Sequence, residues 1–147
     1  MWVVANIPVN TIYKVIGDDL VWIMHVRNTG IAFSLGSGGS DFFRLVTFTV
    51  VPLIAMIWIS VLIVKNKVGF TNVQRWYVAG IIGGGMGTLI DRMLYFNEGV
   101  IDFISIKFFG IFGLDRWPTF NVSDSCVVVF VILFAITLLL PSKNGKK

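Results

Sequence analysis

The 147-residue chain is too apolar for an ordinary soluble domain, since 56% of its residues are hydrophobic, 14% are charged and its mean hydropathy is +0.83. A soluble domain of this size needs more polar surface. The net charge of +4 does not indicate nucleic-acid binding, because the basic residues cluster at the ends of apolar segments, as membrane topology requires. One cysteine, Cys126, excludes a disulfide framework within the chain.

Residues 1–41 are predicted to form a β-rich segment on the extracytoplasmic face. Leu20 to Val26 is a β-like run, and Gly30 is followed by further glycines at positions 36, 38 and 39, which are turn signals. Met1 to Val4 is apolar but too short to cross a membrane, and one interpretation is that it is the end of a helix. We therefore expect a small sheet lying on the outer membrane surface.

Three apolar segments predict transmembrane helices over residues 42–64, 75–96 and 122–140. The first holds twenty uncharged residues from Leu45 to Val64, which span about 30 Å as a helix. The second is apolar from Trp76 to Phe96 apart from Asp91 and Arg92. The third is apolar only from Ser125 to Leu140, so a full span must begin earlier and include Asp124.

Basic residues predict the orientation of these helices. Lys65, Lys67 and Arg75 lie between the first two, and Lys143, Lys146 and Lys147 lie in the C-terminal tail. Both regions are predicted to face the cytoplasm, which puts the connection 97–121, predicted as a loop, on the extracytoplasmic side. The predicted fold is a single membrane domain over residues 1–147, an all-α helical bundle of three transmembrane helices with a small extracytoplasmic β-sheet.

Three aspartates, Asp91, Asp102 and Asp124, fall in the outer half of this topology. An ionised carboxylate in hydrocarbon costs several kcal/mol and persists only with a partner or a function. Asp91 adjoins Arg92, and we interpret this pair as structural. Because neighbours on a helix point about 100° apart, each can instead pair with another helix or the outer surface.

Asp102 and Asp124 stand in apolar surroundings with small or amide side chains nearby. If the fold brings them together, one carboxylate can act as general base for a water while the other keeps a proton and acts as acid. That is the chemistry of an aspartic peptidase. Simpler interpretations remain open: Asp124, Asn121 or Ser123 caps the last helix, and Asp102 caps a turn or faces water. No metal or other cofactor is expected, since the chain has no His or Cys cluster.

Four blocks follow one another along the chain: Arg27–Ser34 (RNTGIAFS), Gly83–Arg92 (GGGMGTLIDR), Val100–Phe103 (VIDF) and Phe120–Ser125 (FNVSDS). Together they resemble the lipoprotein signal peptidase, or signal peptidase II, family. The resemblance runs from about Ile7 to Leu140. It implies an intramembrane aspartic endopeptidase that removes signal peptides from bacterial prolipoproteins by cleaving before the diacylglyceryl-modified cysteine.

The resemblance also implies roles for individual residues and partners for the protein. Asp102 and Asp124 would be the catalytic pair. The residues that would bind substrate or support the aspartates are Asn28, Gly30, Asp91, Arg92 and Asn121. The implied partners are prolipoproteins and membrane lipids, without nucleic acid. The implied protein is a monomer that crosses the bacterial cytoplasmic (inner) membrane several times, with its active site towards the extracytoplasmic face.

The chain departs from the family pattern in three places. Family members normally begin with an additional transmembrane helix, four in all, whose end carries Asp and Lys. Two interpretations stay open: the native chain starts upstream of Met1, which we favour, or this helix has been lost. Thr88 stands where Asn is usual, which keeps a hydroxyl but loses the amide. Ser123 stands where Ala is common.

Two further segments and one alternative function stay open. The glycines at positions 80, 83, 84, 85 and 87 either pack helices closely or leave room for a lipid chain. Phe108 to Trp117 is an apolar loop that rests in the outer leaflet, closes over substrate or is an interfacial linker. The alternative function is a noncatalytic membrane scaffold or small transporter subunit, in which Asp91, Arg92 and Asp124 form a polar relay.

Overall fold

The computed structural model describes residues 2–17, 19–31 and 35–139. Its helices are α1 (Trp2–Asn6), α2 (Asp41–Leu45), α3 (Val51–Val64), α4 (Asn72–Leu94) and α5 (Val122–Leu139), and its strands are β1 (Ile12–Ile16), β2 (Val21–Asn28) and β3 (Val100–Ile106). The end of the RNTGIAFS block, Leu140 and the C-terminal lysines lie outside the described residues.

The three strands form one antiparallel sheet in the order β1-β2-β3, which confirms the predicted small sheet. β3 corrects the prediction that residues 97–121 are a loop throughout. Its Val, Ile and Phe residues suit a pleated, half-buried surface, and β2 supplies the partners for its backbone hydrogen bonds. In the paired register Val26 lies opposite Asp102, and Asn28 lies opposite Val100.

Gly99 permits the close approach of β3 to the end of β2. Its φ is +87°, and a Cβ at this position would lie 2.3 Å from the carbonyl oxygen of Asn28. A side chain is therefore excluded both by the left-handed backbone and by contact. The register of Asn28 against β3 depends on this glycine.

The described residues divide into two compact units, one within Met1–Val51 and Leu89–Asn121 and the other within Pro52–Thr88 and Val122–Lys147. The first unit contains the sheet. Its buried core consists of Val3, Ile7 and Ile101, with Val4, Ile23, Tyr95 and Phe103 packed against them. Ile101, the neighbour of Asp102, has no exposed surface.

In the second unit, glycines of α4 face its neighbouring helices. A Cβ on Gly80 would lie 2.4 Å from the Phe130 ring, and one on Gly87 would lie 2.1 Å from the Ser123 hydroxyl, both in α5. Gly85 meets Met56 of α3 in the same way, whereas Gly83 has nothing within 4 Å. Close helix packing therefore explains these glycines except Gly83.

Local signals determine where the long helices begin. The Ser40 hydroxyl accepts a hydrogen bond from the Phe43 N–H at the start of α2. Thr71 and Gln74 form a reciprocal capping box before α4, so α4 starts three residues before the predicted span. Between α2 and α3, residues 46–50 form a wider π turn, next to Pro52, which lacks a backbone donor.

Among the described residues, two helices are long and apolar enough to cross a membrane, Asp41–Val64 and Val122–Leu139. They agree within a residue with the predicted spans 42–64 and 122–140. α4 has 23 residues, which extend about 34 Å as a helix. Its glycines and the charged pair Asp91 and Arg92 make it less apolar than the other two.

Candidate active site

Asp102 is a buried carboxylate held by two amides. It lies in β3 with 3% of its surface exposed. The Asn28 Nδ2 donates to its Oδ2 over 3.0 Å, and the Asn121 Nδ2 donates to its Oδ1 over 2.8 Å. Each carboxylate oxygen therefore has its own amide donor, and the interpretations in which Asp102 faces water or caps a turn are wrong.

The backbone fixes which way the Asn28 amide points. Its Oδ1 accepts a hydrogen bond of 3.0 Å from the N–H of Gly30. Because only an amide oxygen can accept this bond, the Nδ2 group must face Asp102. Gly30, which was predicted as a supporting residue, contributes its backbone N–H to this hydrogen bond.

Asn121 reaches Asp102 because the preceding residue pairs with β3. Phe120 and Ile104 exchange backbone hydrogen bonds of 3.0 and 2.8 Å. This pairing holds the chain alongside the strand up to the start of α5. Asn121 is itself 3% exposed, so its bond to Asp102 is shielded from water.

The two amides replace hydrogen bonds to water that the buried Asp102 carboxylate has lost. A carboxylate removed from water without hydrogen bonds is strongly disfavoured, whereas donors to the carboxylate stabilise its ionised form. Asn28 and Asn121 are neutral, so they provide donors without forming an ion pair. The Asp102 carboxylate is thereby held in one position, with one neutral amide on each oxygen.

Asp91 and Arg92, adjacent in α4, have partners on different segments. The buried Asp91 carboxylate accepts from the N–H of Ile101 at 3.4 Å. The Arg92 guanidinium donates to the carbonyl oxygen of Gly30 and lies 5.5 Å from the centre of the Phe48 ring. Both residues therefore brace the backbone on either side of Asp102, through β3 and the turn after Asn28.

Asp124 is the third residue of α5, so the interpretation that it is the N-cap is wrong. The residue that directly precedes the helix is Asn121, whose amide binds Asp102. Thr88, in the position where the family pattern has Asn, donates its hydroxyl to the carbonyl oxygen of Gly85 over 2.9 Å. The hydroxyl is thus satisfied within its own helix.

No group of three or more His, Cys, Asp or Glu side chains is arranged to hold a metal ion within residues 2–17, 19–31 and 35–139. The side chains that form the site carry carboxylate and amide groups. The chemistry these groups support is proton transfer to and from a reacting water or amide.

Two features that position Asp102 were not predicted from the sequence. One is Gly99, whose place directly before a β-branched run was an available signal for a strand start. The other is Arg27, which forms an ion pair of 2.9 Å with Glu98 and lies 4.7 Å from the centre of the Tyr95 ring. This contact ties the turn between α4 and β3 to β2, and no spacing in the sequence indicated it.

Comparison with known proteins decides the family. Residues 1–140 match the family described as signal peptidase (SPase) II. The chain belongs to the signal peptidase II family. The resemblance carried by the four sequence blocks is therefore confirmed.

Three members of the signal peptidase II family illustrate the similarity. A lipoprotein signal peptidase of Treponema denticola is 44% identical over 145 residues, which are 99% of this chain and 82% of that protein. One of Treponema pallidum is 45% identical over 140 residues, covering 95% and 74%. One of Borrelia duttonii is 43% identical over 134 residues, covering 91% and 76%.

Two solved structures, each a bacterial membrane enzyme determined by the in meso method, share the fold. The first, at 2.3 Å resolution, has a TM-score of 0.76 and 28% identity, covering 99% of this chain and 82% of its own. The second, at 1.9 Å, has a TM-score of 0.67 and 30% identity, covering 96% and 83%. These similarities do not favour the scaffold or transporter alternative.

Proposed function

We propose that the protein removes signal peptides from bacterial prolipoproteins by cleaving before the diacylglyceryl-modified cysteine. Membership of the signal peptidase II family supports this reaction. The structural observation that carries the proposal is the Asp102 carboxylate, buried and held by one amide on each oxygen. A buried carboxylate so arranged is suited to proton transfer.

In the proposed mechanism Asp102 and Asp124 act as a pair. Asp124 follows Asn121, an amide partner of Asp102, by three residues in the chain. One carboxylate accepts a proton from a water molecule while the oxygen of that water attacks the scissile carbonyl carbon. The protonated partner then donates to the amide nitrogen as the C–N bond breaks, which leaves a carboxyl group on the signal peptide and a free amine on the cysteine.

The other predicted site residues have proposed supporting roles. Asn28 and Asn121 hold Asp102 and stabilise its charge. Asp91 and Arg92 brace the backbone on either side of it, and the Gly30 N–H orients the Asn28 amide. Donors fixed in this way need no rearrangement during the reaction, which is how preorganised polar groups accelerate it.

We further propose a single multi-pass peptidase domain in the bacterial cytoplasmic membrane. In this proposal α4 also crosses the membrane, so the described chain has three transmembrane helices, of which α4 is less apolar than the other two. The basic residues Lys65, Lys67 and Arg75 support a cytoplasmic position for its start, and in this orientation Asp102 would lie towards the extracytoplasmic face. The protein would act as a monomer among membrane lipids, with the lipid chains of its substrate approaching laterally.

The test is cleavage of a purified prolipoprotein in proteoliposomes. The substrate is supplied with and without its diacylglyceryl group, and mass spectrometry of the products locates the cut. We expect cleavage before the lipid-modified cysteine and little cleavage of the unmodified precursor. Asp102→Asn and Asp124→Asn should each abolish it.

Asp115→Asn is the matched control, because Asp115 is an exposed carboxylate in the segment between the two proposed catalytic residues. It should cleave like the wild type. Normal cleavage by folded Asp102→Asn or Asp124→Asn would remove that residue from the mechanism. Equal cleavage of modified and unmodified precursors would contradict the proposed substrate.

A further inference from the structure

The segment between β3 and α5 contains an uncharged, exposed apolar tip. Phe108 to Leu114 are seven residues without a charge. Phe112 is 90% exposed and Phe109 is 68% exposed, with Ile111 half exposed between them. Large apolar side chains grouped at one tip mark a contact surface. We call residues 108–114 the aromatic finger.

The backbone of the aromatic finger is folded so that these side chains project. Gly110 and Gly113 have φ values of +79° and +77°, and Phe109 and Phe112 have φ values of +55° and +54°. Bulky residues rarely adopt positive φ, and such conformations persist where the surroundings hold them. Two aromatic residues of one short loop in this state indicate that the exposed arrangement of their rings is built into the loop.

Contacts between aromatic rings connect the tip of the aromatic finger with Trp117, which follows it in the chain. The Phe108 ring lies 4.9 Å from the Trp117 ring and 6.4 Å from the Phe112 ring, measured between centroids. The backbone is closed below the tip, because the Phe108 N–H donates to the Asp115 carbonyl over 2.7 Å. The aromatic finger is therefore a hairpin with an ordered stem.

The stem is fixed to the sheet by Arg116. Its guanidinium donates to both the hydroxyl and the carbonyl oxygen of Ser105 over 2.9 Å, and to the Asp19 carbonyl over 2.7 Å. It also stacks 3.5 Å from the centre of the Trp22 ring. Lys107 adds an ion pair with Asp19. Ser105 is in β3, three residues from Asp102, so the position of the aromatic finger is coupled to that of the carboxylate.

We propose that the aromatic finger is a membrane anchor that inserts into the outer lipid leaflet and sets the depth of Asp102 relative to the bilayer. Charge distribution favours lipid as the occupant of this surface. The tip is uncharged, whereas Lys107, Asp115 and Arg116 lie together at the stem, where headgroups and water can solvate them. Trp favours this interfacial region, as Trp117 beside the stem would, and exposed Phe and Leu side chains next to basic residues are typical of interfacial insertion.

The aromatic finger is followed in the chain by α5, one of the two described helices that are apolar enough to cross a membrane. Trp117 follows the finger by three residues, and α5 begins at Val122. A segment that joins the sheet to such a helix must pass the bilayer surface. The alternative occupant, a bound substrate covered by the finger, is an outcome of the test below.

The test measures the depth of labels in vesicles. Single cysteines at Phe112 and Asp115, in a Cys126→Ala background, carry an environment-sensitive fluorophore in phosphatidylcholine vesicles containing spin-labelled lipid. We expect lipid quenching at position 112 to exceed that at position 115 by about twofold or more, without substrate present. Iodide in the water should show the reverse order.

Two results would overturn the membrane anchor. One is a label at position 112 that iodide reaches freely and lipid does not quench. The other is shielding at position 112 that appears only when prolipoprotein is added, which would make the finger a cover over substrate. These readouts do not depend on peptidase activity, so a failure of the anchor is distinguishable from a failure of the proposed function.

A second measurement rests on the proposed function. Phe112→Asp should remove lipid quenching of a label at Phe109 and lower cleavage of vesicle-embedded prolipoprotein about tenfold. Cleavage of a short lipopeptide in detergent should stay within about twofold of the parent, because no bilayer sets the depth there. Phe112→Leu, which keeps an apolar side chain, is the matched control. Equal losses in vesicles and detergent would contradict the depth-setting role.

Discussion

Asn28 and Asp102, seventy-four positions apart in the chain, are joined by a hydrogen bond of 3.0 Å from the amide to the carboxylate. The bond connects the end of β2 with the middle of β3. It makes the position of the proposed catalytic carboxylate depend on the sheet.

Asn28→Ala should weaken catalysis without unfolding the protein. It removes one of the two amides on Asp102, and a hydrogen bond to a charged group contributes about 1.5–3 kcal/mol. We predict that kcat/KM for prolipoprotein falls about tenfold to a hundredfold. Asn97→Ala, in an exposed turn after α4, is the control and should resemble the wild type. Activity of Asn28→Ala equal to that of Asn97→Ala would show that the bond is not needed.

Gly99→Ala should disturb the pairing of β2 and β3. The new Cβ would lie 2.3 Å from the Asn28 carbonyl oxygen, on a backbone with φ of +87°. We predict a loss of about 1–3 kcal/mol in the free energy of unfolding, measured by thermal unfolding in nanodiscs. Gly110→Ala is matched in its positive φ but has nothing within 4 Å, so its loss should be smaller. Equal losses would assign the whole effect to backbone conformation.

Gly80→Leu should separate α4 from α5. A Cβ on Gly80 would lie 2.4 Å from the Phe130 ring, and overpacking of this kind costs about 1–3 kcal/mol. Gly83→Leu, in the same helix but with open space around it, should leave the unfolding midpoint unchanged. If Gly83→Leu were the more destabilising variant, the assignment of helix faces would be wrong.

The Asp19–Lys107 pair predicts how stability depends on pH. The hydrogen bond from Lys107 lowers the pKa of Asp19 below its ordinary 3.8, and the same bond raises the pKa of Lys107 above its ordinary 10.5. The Asp19 contribution is present above pH 3.8 and is lost as the pH falls through the lowered pKa. The Lys107 contribution is present below pH 10.5 and is lost as the pH rises through the raised pKa.

The measurement compares the wild type with Lys107→Met, which cannot form the pair. We predict that the wild type has the higher unfolding midpoint between about pH 5 and 10. The difference should shrink in acid below about pH 4 and in alkali above about pH 10.5. A difference that is constant over this range would mean that the ion pair does not contribute to stability.

Sequence patterns predicted the helices well because the signals for them are local. The uncharged run before Lys65 and the apolar run after Asp124 each specify a helix without reference to the rest of the chain. The β-like run that became β2 was also visible. α4 begins earlier than predicted because Thr71 and Gln74 form a capping box, which hydropathy does not register.

The site was predictable only in its residue types. Family resemblance indicated Asp102, Asn28 and Asn121, but the hydrogen bonds among them come from pairing between segments far apart in sequence. The segment 97–121 was predicted as a loop because its apolar residues alone do not show whether a neighbouring strand can pair with them. Because Gly99 allows β3 to pair with β2, Asp102 lies within hydrogen-bond distance of the Asn28 amide.

The most direct test of the account is the single-turnover rate of prolipoprotein cleavage by purified Asp102→Asn and Asp124→Asn, each compared with Asp115→Asn at saturating enzyme. Asparagine keeps the shape of the side chain but can neither accept nor donate the required proton. The account predicts that each of the first two variants is slower than the control by about a hundredfold to ten-thousandfold. A folded Asp102→Asn or Asp124→Asn enzyme that cleaves at the rate of Asp115→Asn would contradict it.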